Sequence, residues 1–192
     1  VNAAHHDLRA LPLPITSQRN FANAHMNLHE LTLPVALNDG FRMDAKEARA
    51  TGAMLADDYA KASPFSHIVL DNFLPQEVLD VALKNFPDEA LKSDRVFNLN
   101  YGGHHKRQIL PYDCNQEAQA LFSFLNSQPV LQFLEGLTGI SGLIPDPYFE
   151  GGGFHEITRG GLLGVHADFR INLTLHLERR LNLLIYLNPD WD

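Results

Sequence analysis

The chain has 192 residues, of which 45% are hydrophobic and 20% charged, and its formal net charge is −8. That length and balance suit one domain with a sizeable core, and the acidity argues against general binding to nucleic acid or a membrane surface, since no basic run exceeds His104-His105-Lys106-Arg107. One cysteine, Cys114, excludes an internal disulfide and fits a reducing compartment; with no signal-peptide pattern and no apolar run of about 18 residues, a soluble, cytoplasmic protein is expected.

Residues 1–42 mix Asn, His, Pro and scattered leucines without periodicity and read as an N-terminal arm or linker; the irregular spacing of His5, His6, His25 and His29 favours no metal cluster there. The domain is expected over 43–192. Asp44, with Glu47 three residues on, caps a helix marked by Ala48, Met54, Leu55 and Tyr59 and ended by Ser63-Pro64. Phe65 to Phe73 is strand-like, and Val78, Leu79, Ala82, Leu83 and Phe86 recur at helical spacing between Pro75 and Pro87. Residues 93–113 read as an irregular, exposed connection, in which His104, His105, Lys106 and Arg107 either line a cavity mouth or simply face water. Two further helices are expected over 115–126 and 129–137, with Leu121, Phe122, Phe133 and Leu134 among their buried residues.

After Gly151-Gly152-Gly153 the chain enters strand-like sequence. In extended backbone, residues two apart share a face, so His166 and Asp168 can close on one ion, two-thirds of the ligand set of a non-haem Fe(II) site. Spacing alone is weak evidence: about 0.7 His-x-Asp matches arise by chance in a chain of this composition, and His5-His6-Asp7 and His176-Leu-Glu178 fit similar patterns. Context favours His166, which follows the glycine-punctuated run from Gly160 to Val165. A second strand is expected from Arg180 to Leu187, ended by Asn188-Pro189-Asp190. Its alternation sets Arg180, Asn182, Leu184 and Tyr186 on one face, suited to a polar cavity, and Leu181, Leu183, Ile185 and Leu187 on an aliphatic, buried one.

The run His166-Ala-Asp168 followed by Arg179-Arg180-Leu-Asn-Leu-Leu-Ile-Tyr186-Leu-Asn-Pro-Asp-Trp191-Asp resembles the prolyl 4-hydroxylase-like branch of the Fe(II)- and 2-oxoglutarate-dependent dioxygenases, and Ser63 to Pro75 is more loosely similar to the opening strand of that domain. The resemblance implies an α+β fold, an incomplete double-stranded β-helix (jelly-roll) with N-terminal helices packed on one sheet. It implies that His166 and Asp168 ligate iron and that Tyr186 binds the distal carboxylate of 2-oxoglutarate; Asn182, on the same face, and His155 are further candidates for the co-substrate. The family's third ligand and its carboxylate-binding Arg or Lys would lie beyond Asp192, so the chain is expected to be C-terminally truncated and inactive as it stands. The implied reaction is hydroxylation of a C–H bond of a small-molecule or peptidyl substrate, with release of succinate and carbon dioxide and with ascorbate as a further cofactor. Alternatives are a cupin-like metal-binding or interaction module without redox chemistry, and a structural domain in which His-x-Asp is incidental.

Overall fold

The computed structural model describes residues 28–99 and 102–188. In chain order the elements are β1 (Leu28–Glu30), α1 (Ala45–Met54), α2 (Ala56–Lys61), β2 (Val69–Asp71), α3 (Gln76–Lys84), β3 (Arg95–Phe97), β4 (His104–Ile109), a 3₁₀ turn at Pro111–Asp113, α4 (Gln116–Leu125), α5 (Gln128–Thr138), β5 (Phe154–Leu162), β6 (Ile171–Asn172) and β7 (Leu177–Glu178). The helices follow local chemistry. Asp44 caps α1 by accepting from the Lys46 and Glu47 amides, Asn115 caps α4 through the Ala118 amide, and Gly139 ends α5 in the left-handed conformation. The helix expected over 44–62 is broken at Leu55 into α1 and α2.

The closest helix contact is between α1 and α5. A Cβ on Gly136 would stand 2.3 Å from the Arg49 carbonyl oxygen, and one on Gly52 would stand 2.1 Å from that of Phe133, so each helix presents a glycine to the other's backbone. Beside this crossing the nearly buried Glu135 carboxylate accepts from Arg49 on α1 at 2.8 Å and from the Gly142 and Leu143 amides at 2.7 and 2.9 Å, tying the chain beyond α5 to the helix pair. Hydrogen bonding to the Leu143 amide is the largest cause holding its pKa below the ordinary glutamate value, against the opposing effect of burial. The core around this pair includes Leu33, Ala48, Val78, Leu121, Val130 and Phe133. Leu33, from the stretch read as an arm, is 1% exposed, and β1 pairs in parallel with β2.

β3, β4 and β5 form an antiparallel sheet in that order. This corrects the reading of 93–113 as an irregular connection. The register assigns its two faces, because directly opposed residues project to the same side. Ile109 and Phe154 sit against the helices, where Phe154 packs on Phe86 and Phe122 with ring centroids 4.9 and 4.8 Å away; the Val96, Arg107, Glu156 row extends that face. The opposite face carries the rows Arg95, Gln108, His155 and Phe97, Lys106, Ile157.

The expected incomplete double-stranded β-helix is not what forms. Among the described residues the sheets have two, three and two strands, and none closes on another. The stretch from Arg180 to Leu187 pairs with none of the described strands. Its alternation survives only in part: Leu181, Ile185 and Leu187 lie against the core and Asn182, Leu184 and Tyr186 face out, but Leu183, expected on the buried side, is 39% exposed. His166 and Asp168 fall in irregular backbone after β5 rather than in a strand. His5, His6, His25, Pro189, Asp190 and Trp191 lie outside the described residues. Among the described residues no helix is long and apolar enough to cross a membrane.

Because the glycines face backbone, which cannot move aside as a side chain can, Gly136→Ala should lower the unfolding free energy in urea by about 3 kcal/mol, the upper end of the usual overpacking cost. A loss below about 0.5 kcal/mol, the range of an ordinary surface substitution, would show that the two helices do not meet there.

Candidate functional site

Asp168 is the centre of a polar constellation drawn from three parts of the chain. Its Oδ2 accepts from Asn182 Nδ2 at 2.6 Å and lies 3.3 Å from Arg179 Nη2, and its Oδ1 lies 3.5 Å from His166 Nε2. The other imidazole nitrogen of His166, Nδ1, donates to the Gly164 carbonyl at 2.8 Å and so fixes the ring with Nε2 toward the carboxylate. Arg179 also donates to the Asn182 side-chain oxygen and stacks over Phe169, 4.6 Å from the ring centroid. A guanidinium held by a carboxylate, an amide and an aromatic face has little freedom left.

The sheet supplies the rest. His155 and Lys106 project from the open face of β5 and β4, within electrostatic reach of Asp168 and Arg179. His155 keeps a rim of exposed surface, yet enough protein surrounds its imidazole that desolvation is the largest cause pulling its pKa below the ordinary histidine value. The Lys106 charge adds to that depression, and a hydrogen bond to the Gly151 backbone and the Asp168 charge oppose it. For Asp168 the Asn182 hydrogen bond is the first cause, with Arg179 assisting, of a pKa below the ordinary aspartate value. Near neutral pH the site therefore holds an ionised carboxylate and a neutral His155 between two cations.

Of the residues singled out from the sequence, His166, Asp168 and Asn182 come together directly, and His155 joins them through the sheet. Tyr186 stands farther along the segment with 71% of its surface exposed. Arg179 was not read as a site residue, and Lys106 only as one of four residues that either line a cavity mouth or face water. Arg179 alternates with Leu181 on the inward side, and that parity was available as a signal. Lys106 depends on the β4–β5 register, which no local pattern discloses. Arg107, the other cation of the basic run, is structural: Nε donates to Glu156 at 2.9 Å, Nη2 to the Pro87 carbonyl at 2.6 Å and Nη1 to the Glu89 carbonyl at 3.0 Å.

The electrostatic arrangement fixes signs that titration can check. Asp168 raises the His155 pKa, so Asp168→Asn should lower it further; Lys106→Met removes a depressing charge and should raise it, both read from ring-proton shifts in NMR. Because the folded value lies below the unfolded one, the unfolded chain takes up the proton first on acidification. The stability linked to His155 is therefore lost as pH falls from the ordinary histidine value down through the depressed one. Movement of both variants in one direction would contradict the placement of these charges.

Compared with protein-family models, curated proteins and solved structures, the chain matches none. The resemblance to the prolyl 4-hydroxylase-like dioxygenases is also not supported by the geometry. Among the described residues no group of three or more His, Cys, Asp or Glu side chains gathers where a metal ion could sit; His166 and Asp168 remain a pair, and the carboxylate is engaged by Asn182 and Arg179. With no such group and no barrel, the assignments of Fe(II), 2-oxoglutarate and ascorbate as cofactors, of C–H hydroxylation and dioxygenase activity, and of a cupin-like module are corrected.

Proposed function

We propose that this is a binding domain for an extended, acidic peptide segment, taken up at the free edge of β5 and held by the constellation around Asp168. The observation that carries the reading is the joining of His155, His166, Asp168, Asn182, Lys106 and Arg179 into one ordered polar surface beside an unpaired strand. β5 runs nine residues, is the last strand of its sheet, and has no strand on its outer side among the described residues. Such an edge offers a row of amides and carbonyls to an added strand.

The shape of the surface favours a peptide over an enclosed small molecule. The side chains of His166 and Asp168 are 48% and 41% exposed, whereas a small-molecule site buries most of its ligand. The charges favour an acidic partner: Lys106 and Arg179 flank a neutral imidazole, and Asp168 is occupied in orienting Arg179 and Asn182. Ile157, on the same face, and Phe169, beneath Arg179, give apolar ground for the residues next to the acidic one. Cys114, free and buried, with burial pushing its thiol pKa up, fits a reducing, cytoplasmic setting.

A fluorescent peptide alternating valine with threonine around one central glutamate should bind in anisotropy measurements and weaken with salt. Lys106→Ala and Arg179→Ala should each reduce its affinity about five- to tenfold, the range of a partly exposed charge-assisted hydrogen bond. Equal affinity for the glutamine version of the peptide would contradict the role given to the two cations.

A further inference from the structure

The other side of the same sheet holds a second feature, away from His155, His166 and Asp168. Between the pair His104 and Leu162 and the pair Lys106 and Ile157, β4 contributes a single residue, His105, whereas β5 contributes residues 158–161. The ladder is broken by a bulge on both strands. His105 adopts a left-handed backbone with φ of 49°, its amide donates to the Asn98 side-chain oxygen at 3.2 Å, and its ring stacks on His104 with centroids 4.0 Å apart. A histidine in this conformation costs energy that its neighbours must offset, and bulges of this kind re-aim side chains at functional sites.

The bulge forms one end of a groove of about 390 Å³ lined by Val96, Asn98, Arg107, Glu156, Thr158 and Arg159, together with His105 and Lys106. Its charge is one-sided. Among the described residues Glu156 is the one carboxylate in the lining, and it is taken by Arg107 at 2.9 Å. Arg107 spends its remaining contacts on the Pro87 and Glu89 carbonyls and Asp94. Arg159 is exposed, makes no salt bridge to any described carboxylate, and shares the groove's lining with Thr158. In a chain of net charge −8, a cationic groove attracts anions locally while the overall charge repels a long polyanion.

We propose that this groove binds the phosphate group of a small phosphorylated molecule. A guanidinium fork takes two phosphate oxygens in parallel, and a hydroxyl donor beside it can serve a third, which a carboxylate does not possess. The groove lies on the face of the sheet opposite His155, and Lys106 is common to its lining and to the peptide site.

The test is an NMR titration of the full chain with inorganic phosphate and pyrophosphate at ionic strength held constant with chloride. The expected result is saturable shifts of the amides of His105 and residues 158–161, stronger with pyrophosphate, and not reproduced by chloride. Arg159→Gln should weaken pyrophosphate binding about tenfold, and Thr158→Val about two- to threefold, as the loss of a charged fork and of one hydroxyl donor would require. Both positions are exposed, so neither substitution threatens the core. Shifts that fail to saturate, an affinity unchanged in Arg159→Gln, or saturable shifts confined to the face of His155 and Arg179 would each overturn the proposal.

Discussion

The close crossing of α1 and α5 through Gly52 and Gly136 is the constraint from which the ordering of the C-terminal third follows. Because the helices touch through backbone, Glu135 can reach Arg49 with one carboxylate oxygen and use the other for the amides of Gly142 and Leu143. From there a relay of polar side chains pins backbone that no ladder satisfies. Asp146 accepts from the Tyr148 and Glu150 amides and from the Asn172 side chain, and Asn172 accepts from the Thr174 and Leu175 amides. Each step answers the same requirement, that backbone N–H groups removed from water find an acceptor. In this chain short acidic and amide side chains meet it where strands do not.

That relay positions the segment from Gly164 to Asn182 over the open face of the β3–β4–β5 sheet. The face is polar in its own right, with Arg95, Gln108 and His155 in one row and Lys106 between Phe97 and Ile157 in the next. The loop adds an ionised Asp168 with its partners, and the result is an ordered patch of both signs on an otherwise acidic protein. Desolvation and two cations keep His155 neutral, while an amide and a guanidinium keep Asp168 charged. A surface of that kind selects a partner by hydrogen-bond geometry and charge more than by enclosed shape.

The helices were the most legible part of the sequence, since apolar residues at helical spacing and capping residues such as Asp44 and Asn115 act locally. The alternation from Arg180 to Leu187 was legible too, but it reports only which side chains turn inward. Whether extended backbone becomes a strand depends on a neighbour, and this stretch pairs with none of the described strands. His166 and Asp168 do come together, though in irregular backbone rather than the expected strand, and Asn182 and His155 were also singled out; the place of Lys106, which comes by register, and of Arg179, which comes by the course of an irregular loop, was not legible. The basic run at 104–107 shows how much tertiary context decides. Within four residues, Arg107 is consumed by structure, Lys106 faces the candidate peptide site and His105 sits in the bulge on the other side.

The most direct measurement is amide hydrogen exchange along β5, with and without the acidic peptide. The account predicts that alternate amides from Phe154 to Ile157, those on the outer edge, slow markedly on peptide addition while the amides of α1 and α5 keep their rates. Protection spread evenly over the domain, or none along β5, would contradict the claim that this strand and the residues beside it are where the protein receives its partner.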